Sequence, residues 1–215
     1  MTGIERVARL TGLLLSAATV AVLLHPRGRA RNLLSEWRTA SERASVVREA
    51  WPGLRARSTF GSPPKPLLIL VSSFDCEYCK LFVDSLRAAV AAAEGPRILV
   101  INRARQGDST AQQSAIAAEC ATRRGFGWTA YEFLMQRTID GASLDPTIRN
   151  DFPSELSPWR ACLTSPAARL AVESDDQLAR SMHIDGTPTL VNERGATLAG
   201  VQSVSRVIEF AHGSR

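Results

Sequence analysis

The sequence predicts an α/β fold, and three observations carry that reading. Leu67-Leu68-Ile69-Leu70-Val71 is an unbroken apolar run of strand length, and Arg97 to Ile101 (RILVI) is a second. Between them Phe82, Val83, Leu86 and Val90 recur at helical spacing, so the order strand, helix, strand is a βαβ unit. Near the C-terminus the strand-like Leu190-Val191, a turn around Glu193-Arg194-Gly195 and a run from Ala196 to Val201 form a further strand pair.

The chain of 215 residues, 45% hydrophobic and 22% charged, is sized for one well-buried domain with appendages. Its net charge of +5 comes from arginines scattered along the whole length, with Lys65 and Lys80 the two lysines. No Lys/Arg block with interleaved aromatics occurs, so nucleic acid is not an expected partner.

Leu10 to Leu24 is an uncharged apolar run with Arg6 and Arg9 before it and no good small-x-small cleavage site after it. Residues 1–26 are therefore expected to be an uncleaved signal anchor that holds the protein to a membrane, the alternatives being a removed signal peptide and a buried soluble helix. Arginines flank both sides, and Arg27, Arg29, Arg31 and Arg38 would by themselves keep the C-terminal side in the cytoplasm. The cysteine content outweighs that charge pattern, because paired thiol chemistry suits an oxidising compartment.

Residues 27–57 are expected to form a spacer helix: Leu33, Trp37, Ala40, Ala44, Val47, Trp51 and Leu54 make a heptad seam. The seam admits two readings, a helix that lies on or spaces the following domain, and self-association through the 33–54 helix. Pro52-Gly53 is expected to end it, and 58–66 (STFGSPPKP) reads as a Gly/Pro linker. The main domain then covers 67–213.

Four cysteines, Cys76, Cys79, Cys120 and Cys162, permit three pairings. Zinc would want a second close pair or a histidine cluster, whereas His25, His183 and His212 are dispersed, so neither metal nor cofactor is expected. Cys76-Glu77-Tyr78-Cys79 falls where the first strand meets its helix. Unpaired N–H groups and the positive end of the helix dipole favour a thiolate there, which makes Cys76 the nucleophile. Cys79, three residues on along the same face, is the more buried, resolving thiol. Thiol-disulfide exchange through a mixed disulfide on Cys76 follows.

FDCEYCK followed far downstream by GTPTLVNERG resembles the DsbA-like, thioredoxin_4-type thiol-disulfide oxidoreductases of the thioredoxin-fold superfamily, over roughly Pro66 to Phe210. The resemblance implies a thioredoxin fold, a central mixed sheet flanked by helices, with a helical insertion at about 107–182 between the second strand and the cis-proline strand. It implies a cis Thr187-Pro188 bond facing the cysteine pair, where the backbone at Thr187 can pair with an extended substrate segment. The insertion in such relatives covers the active site, which makes Phe126, Trp128, Tyr131 and Phe133 candidates for an apolar surface, although such aromatics are more often core. By the same resemblance Cys120 and Cys162 form a second, non-catalytic disulfide, the alternative being two buried thiols. Thioredoxin-type relatives often carry a buried carboxylate six residues before the first cysteine; here that position is Leu70.

Glu77 and Tyr78 are the redox-tuning positions, and an acidic neighbour disfavours a thiolate on Cys76. The expected function is exchange on cysteine-containing exported proteins, as oxidase or isomerase, with a separate redox partner to reset the disulfide. An anchored thiol reductase and a non-catalytic holdase or adaptor are the alternatives. The expected location is a bacterial-type inner membrane, with the catalytic domain in the periplasm or outside the cell.

Overall fold

The computed structural model describes residues 29–57, 59–104, 109–136 and 144–213. The apolar run expected to be the anchor lies outside them, and among the described residues no helix is long and apolar enough to cross a membrane. The chain divides into two compact units, Met1–Glu42 and Arg43–Arg215. Helix α1 (Arg29–Arg55) contributes to both. In the first unit its Leu33, Leu34 and Trp37 are exposed.

The second unit is built on a four-stranded sheet in the order β2-β1-β3-β4, from β1 (Leu67–Ser72), β2 (Arg97–Asn102), β3 (Thr189–Val191) and β4 (Thr197–Ala199). β1 and β2 are parallel, joined through α2 (Glu77–Ala91), while β1–β3 and β3–β4 are antiparallel. Every residue of β1 is buried, because both faces of the sheet are covered. Leu68 and Leu70 point into one core with Phe82, Val83 and Leu86 of α2 and Phe210 of α8 (Val204–Ala211). Leu67, Ile69 and Val71 point into the other, with Val47 and Leu54 of α1 and Ala179 of α7 (Pro166–Ser181). Phe82 and Leu86 are almost fully enclosed, each a gain of roughly 1.5–3 kcal/mol over exposure.

Between β2 and β3 lies the helical insertion: α3 (Ser109–Arg123), α4 (Gly127–Gln136), α5 (Asp145–Asp151), a 3-10 turn (Pro153–Glu155), α6 (Leu156–Leu163) and α7. Eight α-helices are thus present among the described residues. α5 and α6 are the shortest α-helices of the insertion. Cys120 on α3 and Cys162 on α6 form a disulfide with Cα atoms 5.8 Å apart. Beside it the fully buried Trp159 donates its indole N–H to the Ala117 carbonyl at 3.4 Å.

Three local expectations are corrected. α1 does not stop at Pro52-Gly53 but runs through Pro52 to Arg55. The extra turn buries Leu54 and brings Arg57 to Asp175 of α7 in a two-pronged ion pair of 2.7 and 3.2 Å, which outweighs the backbone bond that a proline forgoes. The last strand is shorter than Ala196 to Val201, because Gly200, at φ +80°, turns its N–H to the Pro188 carbonyl at 2.8 Å. Within the Gly/Pro segment Phe60 is not free of the sheet: it pairs with Ile98 through two backbone bonds of 2.8 and 2.7 Å. The β3–β4 turn meets the C-terminal half of α1 so closely that a Cβ on Gly195 would lie 2.7 Å from the Ala44 Cα; Arg43 Nε donates to the Gly195 carbonyl at 2.8 Å.

Candidate active site

The turn from β1 into α2 is set by short local bonds. The Ser73 hydroxyl donates to the Asp75 carboxylate, and the Cys76 N–H to the Ser73 carbonyl at 3.3 Å. Cys76 is then the N-cap of α2, extended at φ −96° and ψ 113°, and its Sγ accepts the Cys79 N–H at 3.3 Å. A cap normally uses an oxygen; a sulfur in that role receives the orphan N–H groups and dipole of the first turn. Cys76 is half-buried and Cys79 fully buried, both as free thiols.

Facing them is the loop before β3, where the Thr187–Pro188 peptide is cis. The Cys76 thiol donates to the Thr187 carbonyl at 3.2 Å, so residues 111 positions apart meet at the sulfur. This loop is held from two sides. Thr189 Oγ1 donates to the Gly186 carbonyl at 2.8 Å. Arg103, just past β2, donates to the Ile184 carbonyl and reaches Asp176 at 3.4 Å, while its own N–H bonds to the Ser72 carbonyl at 2.7 Å. Arg103 therefore ties the cysteine strand to the proline loop. One of many scattered arginines, it carries no sequence signal for that role.

A cleft of about 460 Å³ opens at Cys76, lined by Tyr78, Glu77, Asp75, Arg103 and Asp185 to Thr187. Tyr78 and Leu81 stand exposed beside it. Glu77 bonds to Lys80 at 2.6 Å and its side chain is largely solvated, so water and a cation both dilute its charge near Cys76. That pairing is invisible when only the dipeptide between the cysteines is considered.

Burial pushes the Cys79 thiol up to about 11. Ser72, the Ser73 backbone and Thr187 pull the other way, and Cys76 adds to the rise. Ser72 in turn lies 2.8 Å from the hydroxyl of Tyr131 on α4, both buried. Of the aromatics singled out in the insertion, Phe126 and Tyr131 are buried, and Trp128 and Phe133 partly so. Trp128 meets Phe60 edge-on with ring centroids 4.4 Å apart, and Phe126 stacks on Phe152 at 4.9 Å. They belong to the core beside the site.

Solved structures share this arrangement of elements. A linker-deletion mutant of Proteus mirabilis ScsC superposes with a TM-score of 0.72 at 15% identity, over 93% of this chain and 96% of that one. The Wolbachia pipientis thiol-disulfide exchange protein alpha-DsbA2 gives 0.66 at 10% identity, over 82% and 97%. The fold is the DsbA-like thioredoxin fold. Pseudomonas aeruginosa DsbA2 shares it with a TM-score of 0.57 at 19% identity, over 74% of this chain and 95% of that one. No family model and no curated protein matches the sequence. In the DsbA-like fold the cysteine pair of this chain occupies the strand-to-helix junction, and the insertion packs over the same end of the sheet through Tyr131.

Proposed function

We propose that the protein is a thiol-disulfide oxidoreductase acting through Cys76 and Cys79 on cysteine-containing exported proteins, as an oxidase or isomerase. One observation carries the reading: a half-exposed sulfur capping a helix beside a cleft, with a second sulfur buried behind it and bonded to it through the backbone. In the oxidising direction a substrate thiolate attacks Cys76 of the disulfide, and Cys79 leaves as a thiolate that then takes up a proton. The substrate's second thiolate next attacks its own sulfur in the mixed disulfide and releases Cys76. Two electrons and two protons pass to the pair, and a redox partner removes them.

Cys79 sets the lifetime of the mixed disulfide. Burial holds its thiol well above neutral pH, so Cys79 resolves a mixed disulfide on Cys76 slowly and leaves time for the substrate's own thiol; the same property makes Cys79 a slow leaving group in the first step. In this reading the cleft holds an extended substrate segment along Thr187 and Pro188, with Tyr78 as its apolar contact and Glu77 a weak modulator. Cys120 and Cys162 serve stability.

The proposal extends to organisation: residues 1–26 anchor the chain in an inner membrane, 27–57 space it, 58–66 link it, and 67–213 work in the periplasm or outside the cell. Exposed Leu33, Leu34 and Trp37 on α1 favour self-association, which sedimentation over a concentration series tests: a species that stays monomeric rules it out. Equilibration with glutathione buffers tests the chemistry. A Cys76–Cys79 potential well above the glutathione couple is expected; one near about −270 mV, the thioredoxin value, would reverse the direction. Absence of any reversible disulfide would end the reading.

A further inference from the structure

A buried sulfur that leaves or attacks in every cycle has to carry negative charge inside the core, and something must stabilise it. Leu70, next but one before Ser72 on β1, is fully buried and apolar. Two hydroxyls stand nearby instead. Ser72, the last residue of β1, is fully buried, and its Oγ lies 2.8 Å from the Tyr131 hydroxyl. Ser72 lies on the same face of β1 as Leu68 and Leu70, the face that packs on Cys79, and its hydroxyl pulls the Cys79 titration down. Around Tyr131 the rings of Phe60, Phe74 and Trp128 close the site, at centroid distances of 5.9, 5.7 and 5.7 Å.

Either hydroxyl can donate in this pair, and one order suits a thiolate acceptor. Each hydroxyl owns a single hydrogen. Burial foremost, then the nearby sulfurs, push the Tyr131 hydroxyl up, while its bond to Ser72 pulls down, so it keeps its hydrogen. Directed at Ser72 Oγ, that hydrogen leaves the serine's own hydrogen for the sulfur. A thiolate accepts it; polarisation along such a chain strengthens each bond in an apolar enclosure.

We propose that Ser72 and Tyr131 form a two-hydroxyl donor chain that stabilises the Cys79 thiolate, Ser72 as the catalytic residue touching the reacting sulfur and Tyr131 as the positioning residue that orients it. This deepens the thiol-exchange reading and rests on it. No net proton passes through the tyrosine; the proton that finally neutralises Cys79 comes from solvent. The titratable groups facing Cys79 are Cys76, from the turn before α2, and Tyr131, from α4.

The test is a single turnover of the reduced full chain, Cys120–Cys162 intact, with oxidised glutathione. Its first phase forms the mixed disulfide at Cys76, and its second releases glutathione as Cys79 attacks. Ser72→Ala is expected to slow the second phase and move its pH profile to more alkaline values. A rise of one pH unit in the Cys79 titration removes about ninefold or tenfold of the thiolate and regains about threefold in nucleophilicity, so the rate falls about threefold per unit. Tyr131→Phe should act in the same direction by less, and the double variant should be no slower than Ser72→Ala alone. The first phase should not change. A wild-type rate in Tyr131→Phe, losses that multiply in the double variant, or a slowing that ignores pH would overturn the chain. A wild-type protein with no second phase would instead bring down the exchange reading itself.

Discussion

Raising a thiol's pKa by burial makes stability depend on pH, and for Cys79 the size follows from its surroundings. The ordinary thiol value of 9.0 applies to the unfolded chain, and the folded site holds the proton up to about 11. Between these values the unfolded state releases a proton that the native state keeps. Unfolding is therefore favoured as pH rises: the contribution is complete below pH 9 and disappears through 11. Linkage gives a loss of about 0.4 kcal/mol at pH 9 and about 1.4 kcal/mol at pH 10, relative to neutral pH. Tyr131, also pushed up mainly by burial, acts in the same direction at higher pH, so a matched comparison is needed. In a Cys76→Ser background, where Cys79 cannot form its own bridge with Cys76, urea unfolding is followed by tryptophan fluorescence from pH 7 to 10, with and without Cys79→Ala. Both proteins retain Tyr131, and the cavity cost of the alanine does not depend on pH. The stability gap between them should shift by about 1 kcal/mol or more against the cysteine protein by pH 10. A flat difference across that range would refute the assignment of a desolvated, neutral thiol to this site, and with it the slow resolution of the mixed disulfide by Cys79.

Two further outcomes concern the frame around the site. Arg57→Ala strands the almost fully buried Asp175, whose carboxyl burial already pushes up against the opposing pull of Arg57; with Arg57 itself a third exposed, a loss of about 2–3 kcal/mol is expected in urea unfolding, and Asp175→Asn in the same background should recover part of it. Replacing Cys120 and Cys162 together by alanine opens a loop with ends 42 residues apart and should cost about 2–4 kcal/mol, seen as a lower Tm, while the Cys76–Cys79 potential stays within error.

The chemistry was legible where its signal is local. A strand-length apolar run, the Cys76-Cys79 spacing and a Thr187-Pro188 pair before a short strand are patterns of neighbouring residues, and the structure brings those two segments together at the Cys76 sulfur. The insertion was legible through the family resemblance, while α5 and α6 are too short to show a period of their own. Pro52 misled because a breaker acts on one hydrogen bond, while the burial of Leu54 and the Arg57–Asp175 pair lie with distant partners. Glu77 was read as an unopposed charge because its counter-ion Lys80 matters only once the helix is formed.

By itself the sequence determined the βαβ order and the reactive pair, and through its family resemblance it implied the partner loop and the place of the helical insertion. The first two depend on spacing along the chain, which the backbone geometry of strands and helices converts directly into faces and ends. Only the tertiary structure decided that Arg103 braces the proline loop, that Phe60 joins the sheet, and that Ser72 and Tyr131, 59 residues apart, share a hydrogen bond behind Cys79. Those contacts join a strand to the elements packed upon it, and no periodicity records which of many serines, tyrosines and arginines will meet in a core that is settled by packing.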